Sequence, residues 1–250
     1  MTIKWSLGAV FAIFVSLLSF AAAAGEFRVA VATNFAAPAQ AIAARFTETT
    51  GHRATLVFGS TGKHYAQIKN GAPFAAFLAA DAQRPARLEE EGLAVAGSRL
   101  TYAVGRIVLW SPREGYVDPQ GQVLTEGDYR HLAIANPLLA PYGRAAEEVL
   151  RARGIWRSLA GRLVRGEDIG QTLQFVRSGN AELGFVAYSQ VKRPGRAPQG
   201  SWWEVPQALY RPIEQQAVLL HESPVARACL SFLQGSEARA IIADFGYGLP

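Results

Sequence analysis

The 250-residue sequence contains one cysteine, Cys229, and four histidines, and this scarcity excludes several kinds of site. A single cysteine cannot form a disulfide within the chain, so the fold must depend on packing. The histidines, at positions 52, 64, 131 and 221, are dispersed, with neither an H-x-x-x-H spacing nor a Cys–His zinc pattern. The sequence therefore predicts no zinc site.

Motifs of nucleophilic catalysis are also missing. There is no G-x-S-x-G elbow, and although Ser60 follows a glycine, the sequence assigns no histidine or acid to it. Asp81, Glu167 and Asp168 form an acid–base set only if folding brings them together. Since an aspartate at a helix start is usually a cap, we expect no catalytic residues.

Charge of one sign is not concentrated anywhere in the chain. Lysine and arginine total 25 against 20 acidic residues, a net charge of +5. The one local basic cluster, at residues 192–203, is rich in proline and glycine and is predicted to be a solvated loop. This distribution argues against nucleic-acid binding, whereas the mild positive charge is compatible with an anionic ligand.

The one long apolar run lies near the start of the sequence. Lys4 precedes it and three alanines, at positions 22–24, follow it, which is the layout of a cleaved signal peptide rather than of a membrane anchor. No cysteine directly follows the run, which argues against a lipid anchor. We therefore expect residues 1–24 to be a signal peptide, cleaved before Gly25, and the protein to be exported.

The rest of the sequence alternates short apolar runs with longer amphipathic ones, which indicates an α/β fold with mostly parallel strands. Ile42 and Phe46, four residues apart, mark the buried face of a helix between the first two strands. The predicted strands cover residues 27–33, 53–59, 75–80, 106–111, 131–136, 181–189 and 214–221. We expect two α/β units, with the C-terminal helices returning to the first unit and a cleft at the hinge.

Four segments share one arrangement, in which an apolar strand is followed by a polar turn and the start of a helix. The first N–H groups of a helix lack partners and carry partial positive charge, so such turns can bind anions. Helix capping explains each turn singly, but four together favour an anion site at the carboxyl ends of the strands. The turns contain Thr33 and Asn34; Ser60 and Thr61; Tyr142 and Gly143; and Asp168, Ile169 and Gly170.

The second turn, FGSTGKH at residues 58–64, is similar to the end of a nucleotide-binding phosphate loop. That motif, G-x-x-x-x-G-K-S/T, needs a glycine where this sequence has Val57 and a hydroxyl where it has His64. Nucleotide binding is therefore not expected, and Lys63 is interpreted as a solvent-facing helix residue.

Longer stretches resemble the periplasmic molybdate-binding proteins of ABC importers. They cover residues 31–51, 58–81, 132–150 and 181–187, and include the "GAP…F…AD" and "NP…APYG" elements. The resemblance implies a class II periplasmic binding protein fold, with two α/β lobes joined by a two-stranded hinge and a ligand cleft between them. Lobe 1 is predicted to comprise residues 25–104 and 215–250, and lobe 2 residues 105–214.

The resemblance also implies a function and a set of ligand contacts. The protein is expected to be a periplasmic monomer without a cofactor, which binds molybdate or tungstate and delivers it to the permease of an ABC importer. Asn34, Thr61, Tyr142 and Ile169 would hold the metal oxyanion, the last two through backbone N–H groups. The full set of implied oxyanion contacts is Thr33, Asn34, Ser60, Thr61, Tyr142 and Ile169.

The sequence departs from the family pattern at two positions. Ala75 stands where many members have an aspartate, and Ala187 where some have a ligand tyrosine, with Tyr188 one residue later. A shift of one residue turns a strand side chain to the opposite face, so Asn34 is expected to supply the missing donor. A receptor for sulfate or phosphate, and an exported enzyme using Asp168 or Glu167, remain as alternatives.

Overall fold

The computed structural model describes residues 25–250, so the predicted signal peptide lies outside the described residues. Within this range no helix combines the length and the apolar character needed to cross a membrane. The chain forms two five-stranded sheets, each covered by helices.

The first sheet and its helices, called lobe 1 below, come from both ends of the described chain. Its strands lie in the order β2-β1-β3-β10-β4. They are β1 (Glu26–Ala32), β2 (Arg53–Gly59), β3 (Ala76–Leu78), β4 (Leu100–Gly105) and β10 (Ile213–Leu219). The helices are α1 (Ala36–Thr50), α2 (Thr61–Lys69), α3 (Gln83–Glu90), α8 (Pro224–Gln234) and α9 (Ser236–Asp244).

The second sheet and its helices, called lobe 2, come from the middle of the chain. The strand order is β7-β6-β8-β5-β9. The strands are β5 (Ile107–Ser111), β6 (Leu132–Ala135), β7 (Leu163–Gly166), β8 (Leu183–Ala187) and β9 (Ser201–Glu204). The helices are α4 (Val123–Glu126), α5 (Pro141–Ala152), α6 (Ile169–Arg177) and α7 (Tyr188–Val191).

The chain crosses between the lobes at two places that together form the hinge. β4 ends at Gly105 and β5 begins at Ile107, so the first crossing occurs at Arg106. The second crossing is made by residues 210–212, directly before β10. Both the α/β class and the two-lobed architecture predicted from the sequence are confirmed.

The prediction of mostly parallel strands is only half right. β1 pairs in parallel with β2 and β3, and β6 with β7 and β8. β10 is antiparallel to both of its neighbours, and so is β5. β5 is buried along its whole length, and β10 is buried except at Glu214 and Gln216. The composition and burial of a strand do not reveal its direction, which depends on the strands that it pairs with.

Three strands, β4, β7 and β9, were not predicted. β9 falls partly in the segment 192–203, which was predicted to be a solvated loop. Trp203 is buried there, and the Ser201 hydroxyl accepts hydrogen bonds from the N–H groups of Tyr116 and Val117. The sequence did not predict this short strand because prolines and glycines surround it. Its burial depends on contacts with residues that are distant in the sequence.

The core of lobe 1 follows the predicted helix face. Ile42 and Phe46 of α1 are buried, at 5% and 0% exposure, in a cluster that also contains residues of α8 and α9. Gly51 ends α1 with a φ of 73°, a conformation that suits glycine. Because residues of α8 and α9 pack in the same cluster as α1, the C-terminal helices belong to the first unit, as predicted. The chain end lies near the hinge.

Candidate functional site

The four polar turns meet at a small cavity between the lobes. The cavity lies at the carboxyl ends of β1, β2, β6 and β7. It is lined by Ala32, Thr33, Asn34, Gly59, Ser60, Thr61, Ala80, Ala140, Pro141, Tyr142, Asp168 and Ile169. All six sequence-predicted ligand residues are therefore brought to one place.

Two hydroxyl groups of lobe 1 are fixed so that they can still donate. The Ser60 hydroxyl caps α2 by accepting from the Lys63 N–H at 3.2 Å, and the Thr61 hydroxyl accepts from the Ala80 N–H at 3.1 Å. An oxygen that accepts keeps its own hydrogen for another partner. The hydroxyl hydrogens of both residues are therefore available to a ligand in the cavity. Both side chains are buried.

Lobe 2 supplies backbone donors from the starts of α5 and α6. Pro141 begins α5 and has no N–H, so Tyr142 carries the first N–H of that helix. Asp168 caps α6 by accepting from the Gly170 and Gln171 N–H groups at 2.8 and 2.9 Å, which leaves the Ile169 N–H free. Within residues 25–250 neither the Tyr142 nor the Ile169 N–H has an acceptor.

Gly143, which stands beside Tyr142, is required by close packing. A Cβ atom at this position would lie 2.2 Å from the Ala135 carbonyl oxygen at the end of β6. The glycine therefore lets the start of α5 approach the strand. Close packing thus accounts for the glycine that follows Tyr142.

No cationic side chain is among the residues that line the cavity. Asp168 is the one charged residue among those that line it, and its Oδ1 is engaged by two backbone N–H groups. Positive potential comes instead from the N-termini of α2, α5 and α6, whose peptide dipoles point at the cavity. Such a site suits an anion that accepts hydrogen bonds on all sides.

Asn34 has a different role from the one that the sequence predicted. Its side-chain Nδ2 donates to Gln215 Oε1 at 2.8 Å and to the Tyr247 hydroxyl at 3.0 Å. Both amide hydrogens are thus used away from the cavity, so the expectation that this amide replaces a missing tyrosine donor is wrong. The Asn34 backbone N–H remains the group that can reach a ligand.

Tyr188 does not line the cavity. Its ring packs against Gly246 and stacks on the Arg106 guanidinium, which lies 5.0 Å from the ring centre. The hydrogen bond of its backbone N–H to the Arg106 carbonyl holds it at the hinge.

The three acids considered for catalysis are separately engaged. Asp81 forms an ion pair with Arg84, Glu167 forms one with Lys63, and Asp168 caps α6. Lys63 is half exposed, as predicted, but its ammonium also reaches across to Glu167 of lobe 2 at 2.8 Å. Within the described residues no group of three or more potential metal ligands occurs.

Two hinged α/β lobes that enclose a cavity lined by hydrogen-bond donors define a solute-binding protein of the two-lobed type. Residues 27–248 match the family of bacterial extracellular solute-binding proteins, and the chain belongs to this family.

Two relatives are similar over nearly the whole chain. The molybdate-binding protein ModA of Azotobacter vinelandii is 52% identical over 96% of both chains. ModA of Rhodobacter capsulatus is 52% identical over 92% of this chain and 91% of its own.

Solved structures agree with these relatives. The periplasmic molybdate-binding protein of Azotobacter vinelandii matches with a TM-score of 0.88 and 42% identity over the structurally aligned residues, covering 90% of this chain and 99% of its own. The sulfate-binding protein SubI of Mycobacterium tuberculosis matches with a TM-score of 0.72 at 14% identity, covering 90% of this chain and 87% of its own, and so shares the fold alone.

Proposed function

We propose that the protein binds molybdate and tungstate in the cavity between its lobes and delivers the oxyanion to the permease of an ABC importer. The observation that carries the proposal is the convergence of free N–H and hydroxyl donors from four turns on one small cavity. The names of the relatives that are 52% identical support molybdate as the ligand. We further propose that the protein acts in the periplasm, as a monomer, without a cofactor and without enzymatic activity.

The donor set fits the chemistry of the ligand. Molybdate is a fully deprotonated tetrahedral dianion at neutral pH, so its oxygens only accept hydrogen bonds. Neutral donors held by the fold can surround such an anion without the desolvation cost of a buried counter-ion. Lobe 1 contributes hydroxyl groups and lobe 2 contributes backbone N–H groups, so the ligand is fully surrounded only when the lobes are closed.

Hydrogen phosphate differs from molybdate because its proton needs an acceptor. The one carboxylate at the cavity is Asp168, whose Oδ1 accepts two backbone N–H groups, so the site disfavours hydrogen phosphate unless Asp168 Oδ2 turns towards the ligand. Sulfate has the charge and shape of molybdate but shorter bonds, so fixed donors surrounding the larger ion are too far apart for it. We therefore expect size, rather than charge, to separate molybdate from sulfate.

Titration of purified protein against molybdate, tungstate, sulfate and phosphate tests the proposal. Four tryptophans, at positions 110, 156, 202 and 203, lie in lobe 2 and can report closure by fluorescence, with calorimetry as an independent measurement. We expect dissociation constants below about 1 μM for molybdate and tungstate and much weaker binding of sulfate. Absence of binding to any oxyanion, or a preference for sulfate, would contradict the proposal.

A further inference from the structure

A cluster of buried polar side chains lies at the hinge, behind the cavity. It consists of Asn34, Tyr102 and Tyr247 of lobe 1, Tyr142 and Ser189 of lobe 2, and Gln215 on β10; all six are buried. We call these six residues the hinge cluster. It contains no charged residue, and its members hydrogen-bond to one another.

Gln215 is the member that connects the two lobes through its side-chain amide. Its Oε1 accepts from Asn34 Nδ2 at 2.8 Å and from the Tyr102 hydroxyl at 3.1 Å. Its Nε2 donates to the Tyr142 hydroxyl at 3.2 Å. One fully buried amide therefore joins the first turn of lobe 1 to the start of α5 in lobe 2.

The position of Gln215 in the chain suits this connection. It lies just after the second crossing, where the pairing of β10 with β4 is shifted between Gln215 and Gln216. The two neighbouring glutamines have different surroundings: Gln216 Nε2 donates to Thr101 of lobe 1, away from the hinge cluster.

Gly105, the last residue of β4, provides the space for the contact. A Cβ atom there would lie 2.3 Å from the Tyr142 hydroxyl oxygen and 2.8 Å from Gln215 Nε2. The glycine is thus needed where the two side chains meet, at the first crossing of the hinge.

A second contact between the lobes runs parallel to the first. The Ser189 hydroxyl oxygen lies 2.9 Å from both the Asn34 carbonyl oxygen and the Tyr247 hydroxyl. The Tyr247 hydroxyl in turn donates to the Asn34 carbonyl at 2.7 Å. Asn34 is therefore held through its side chain and its carbonyl, with its N–H left for the cavity.

We propose that Gln215 is a positioning residue that couples oxyanion capture to closure of the lobes, an inference that rests on the proposed function. It holds the side chains of Asn34 and Tyr142, whose backbone N–H groups face the cavity. Rotation of lobe 2 about the hinge separates Gln215 from Tyr142 and leaves buried polar groups without partners. Contacts made only in the closed state stabilise that state and slow release of the ligand.

The neutrality of the hinge cluster supports this role. Burial raises the pKa of Tyr102 and of Tyr142 well above the ordinary value, so both hydroxyl groups keep their protons at neutral pH. The Gln215 amide is likewise uncharged, so the cluster positions the donors without adding a charge beside the dianion.

Stopped-flow binding of molybdate to Gln215→Met, Tyr142→Phe and the double variant tests the proposal. We expect each single variant to release molybdate roughly 5- to 50-fold faster, with little change in the association rate. The double variant should lose less than the product of the two single losses, since both remove one contact. Gln216→Met is the matched control and should behave as the parent.

Gly105→Ala gives a test that leaves every hydrogen-bonding group in place. The added methyl group obstructs the Gln215–Tyr142 contact, so we expect weaker binding and a smaller rise in Tm on adding molybdate, with little change in the Tm of the ligand-free protein. Gly161→Ala is its control, because a Cβ at Gly161 meets no atom within 4 Å.

The outcomes separate this inference from the proposed function. If the parent binds no oxyanion, both fail. If the parent binds but Gln215→Met and Gly105→Ala release molybdate at the parental rate, the coupling role is overturned and the proposed function stands. A lowered Tm with unchanged affinity of the folded protein would assign Gln215 a purely structural role and would also overturn the inference.

Discussion

Two serines with the same local role show how a single residue acquires a function. Ser60 caps α2 by accepting from the N–H three residues later at 3.2 Å, and Ser223 caps α8 in the same way at 3.3 Å. Ser60 is buried at the cavity, whereas Ser223 lies away from it. Only the hydroxyl hydrogen of Ser60 can therefore reach a ligand.

Replacing each serine by alanine separates capping from binding. Loss of a cap should cost either variant about 1 kcal/mol of stability. Ser60→Ala should also weaken molybdate binding roughly 10- to 100-fold, because it removes a hydrogen bond to a charged ligand. Calorimetric titration of both variants checks this, and equal affinities for Ser60→Ala and Ser223→Ala would show that Ser60 is only a cap.

At the residue scale the sequence located the site better than it assigned roles within it. The turns at Thr33, Ser60, Tyr142 and Ile169 could be found because a strand, a polar turn and a helix start form a local pattern. The role of Asn34 could not be found, since its amide is taken by Gln215 and Tyr247, which are about 180 or more positions away in the sequence.

Among the elements, helix α2 contributes to the site in three ways. Its cap lies at the cavity, its Gly62 N–H donates to the Leu139 carbonyl of lobe 2 at 2.8 Å, and His64 anchors it to the sheet. The His64 ring is buried, with Nε2 3.2 Å from the Val31 carbonyl oxygen and Nδ1 3.0 Å from Gln67 Oε1. Phe74 and Phe77 pack edge-on against it.

The anchoring of α2 should make stability depend on pH. Burial lowers the pKa of His64, and this outweighs the hydrogen bonds to the oxygens of Gln67 and Val31, which raise it. Below about pH 6.5 the unfolded chain takes up a proton that the folded protein resists, so stability falls as the pH falls. The contribution is fully present above pH 6.5 and changes by at most about 1.4 kcal/mol per pH unit.

Urea unfolding at pH 7.5 and pH 5.5 measures this effect. The parent should lose more stability on acidification than His64→Gln, whose side chain does not titrate. His131→Gln, at an exposed position, serves as the control and should retain the parental pH dependence. If His64→Gln and the parent show the same loss, His64 does not govern the acid sensitivity.

At the scale of the whole molecule, contacts between the lobes surround the cavity. Arg84 Nη2 donates to the Leu138 carbonyl oxygen at 3.0 Å, and Lys63 pairs with Glu167 at 2.8 Å. The hydrogen bond and the charge of Glu167 raise the pKa of Lys63. These groups do not line the cavity, but they connect lobe 1 to lobe 2.

Removing the Lys63–Glu167 pair should therefore speed release of the ligand. Because the pair is half exposed, we expect Lys63→Met to raise the dissociation rate of molybdate by no more than about fivefold. The difference from the parent should shrink at high salt. Lys69→Met removes a pair formed within lobe 1, to Glu91, and should leave the rate unchanged; an equal effect of both substitutions would contradict the role of closure.

The sequence by itself determined the α/β class, most strand and helix positions and the four polar turns that meet at the cavity. Apolar periodicity and the chemistry of helix starts are local properties, so they can be recognised without knowing which elements are neighbours.

Only the tertiary structure decided the direction of β5 and β10, the burial of β9 and the composition of the hinge cluster. Each depends on residues far apart in sequence: Gln215 meets Tyr142, and Gly105 leaves room for both. A short sequence pattern does not encode such long-range contacts. A glutamine in the same local sequence but on an exposed strand would not make them. The glycine-and-hydroxyl turns could thus be recognised from the sequence, whereas the hinge cluster behind them could be recognised only from the fold.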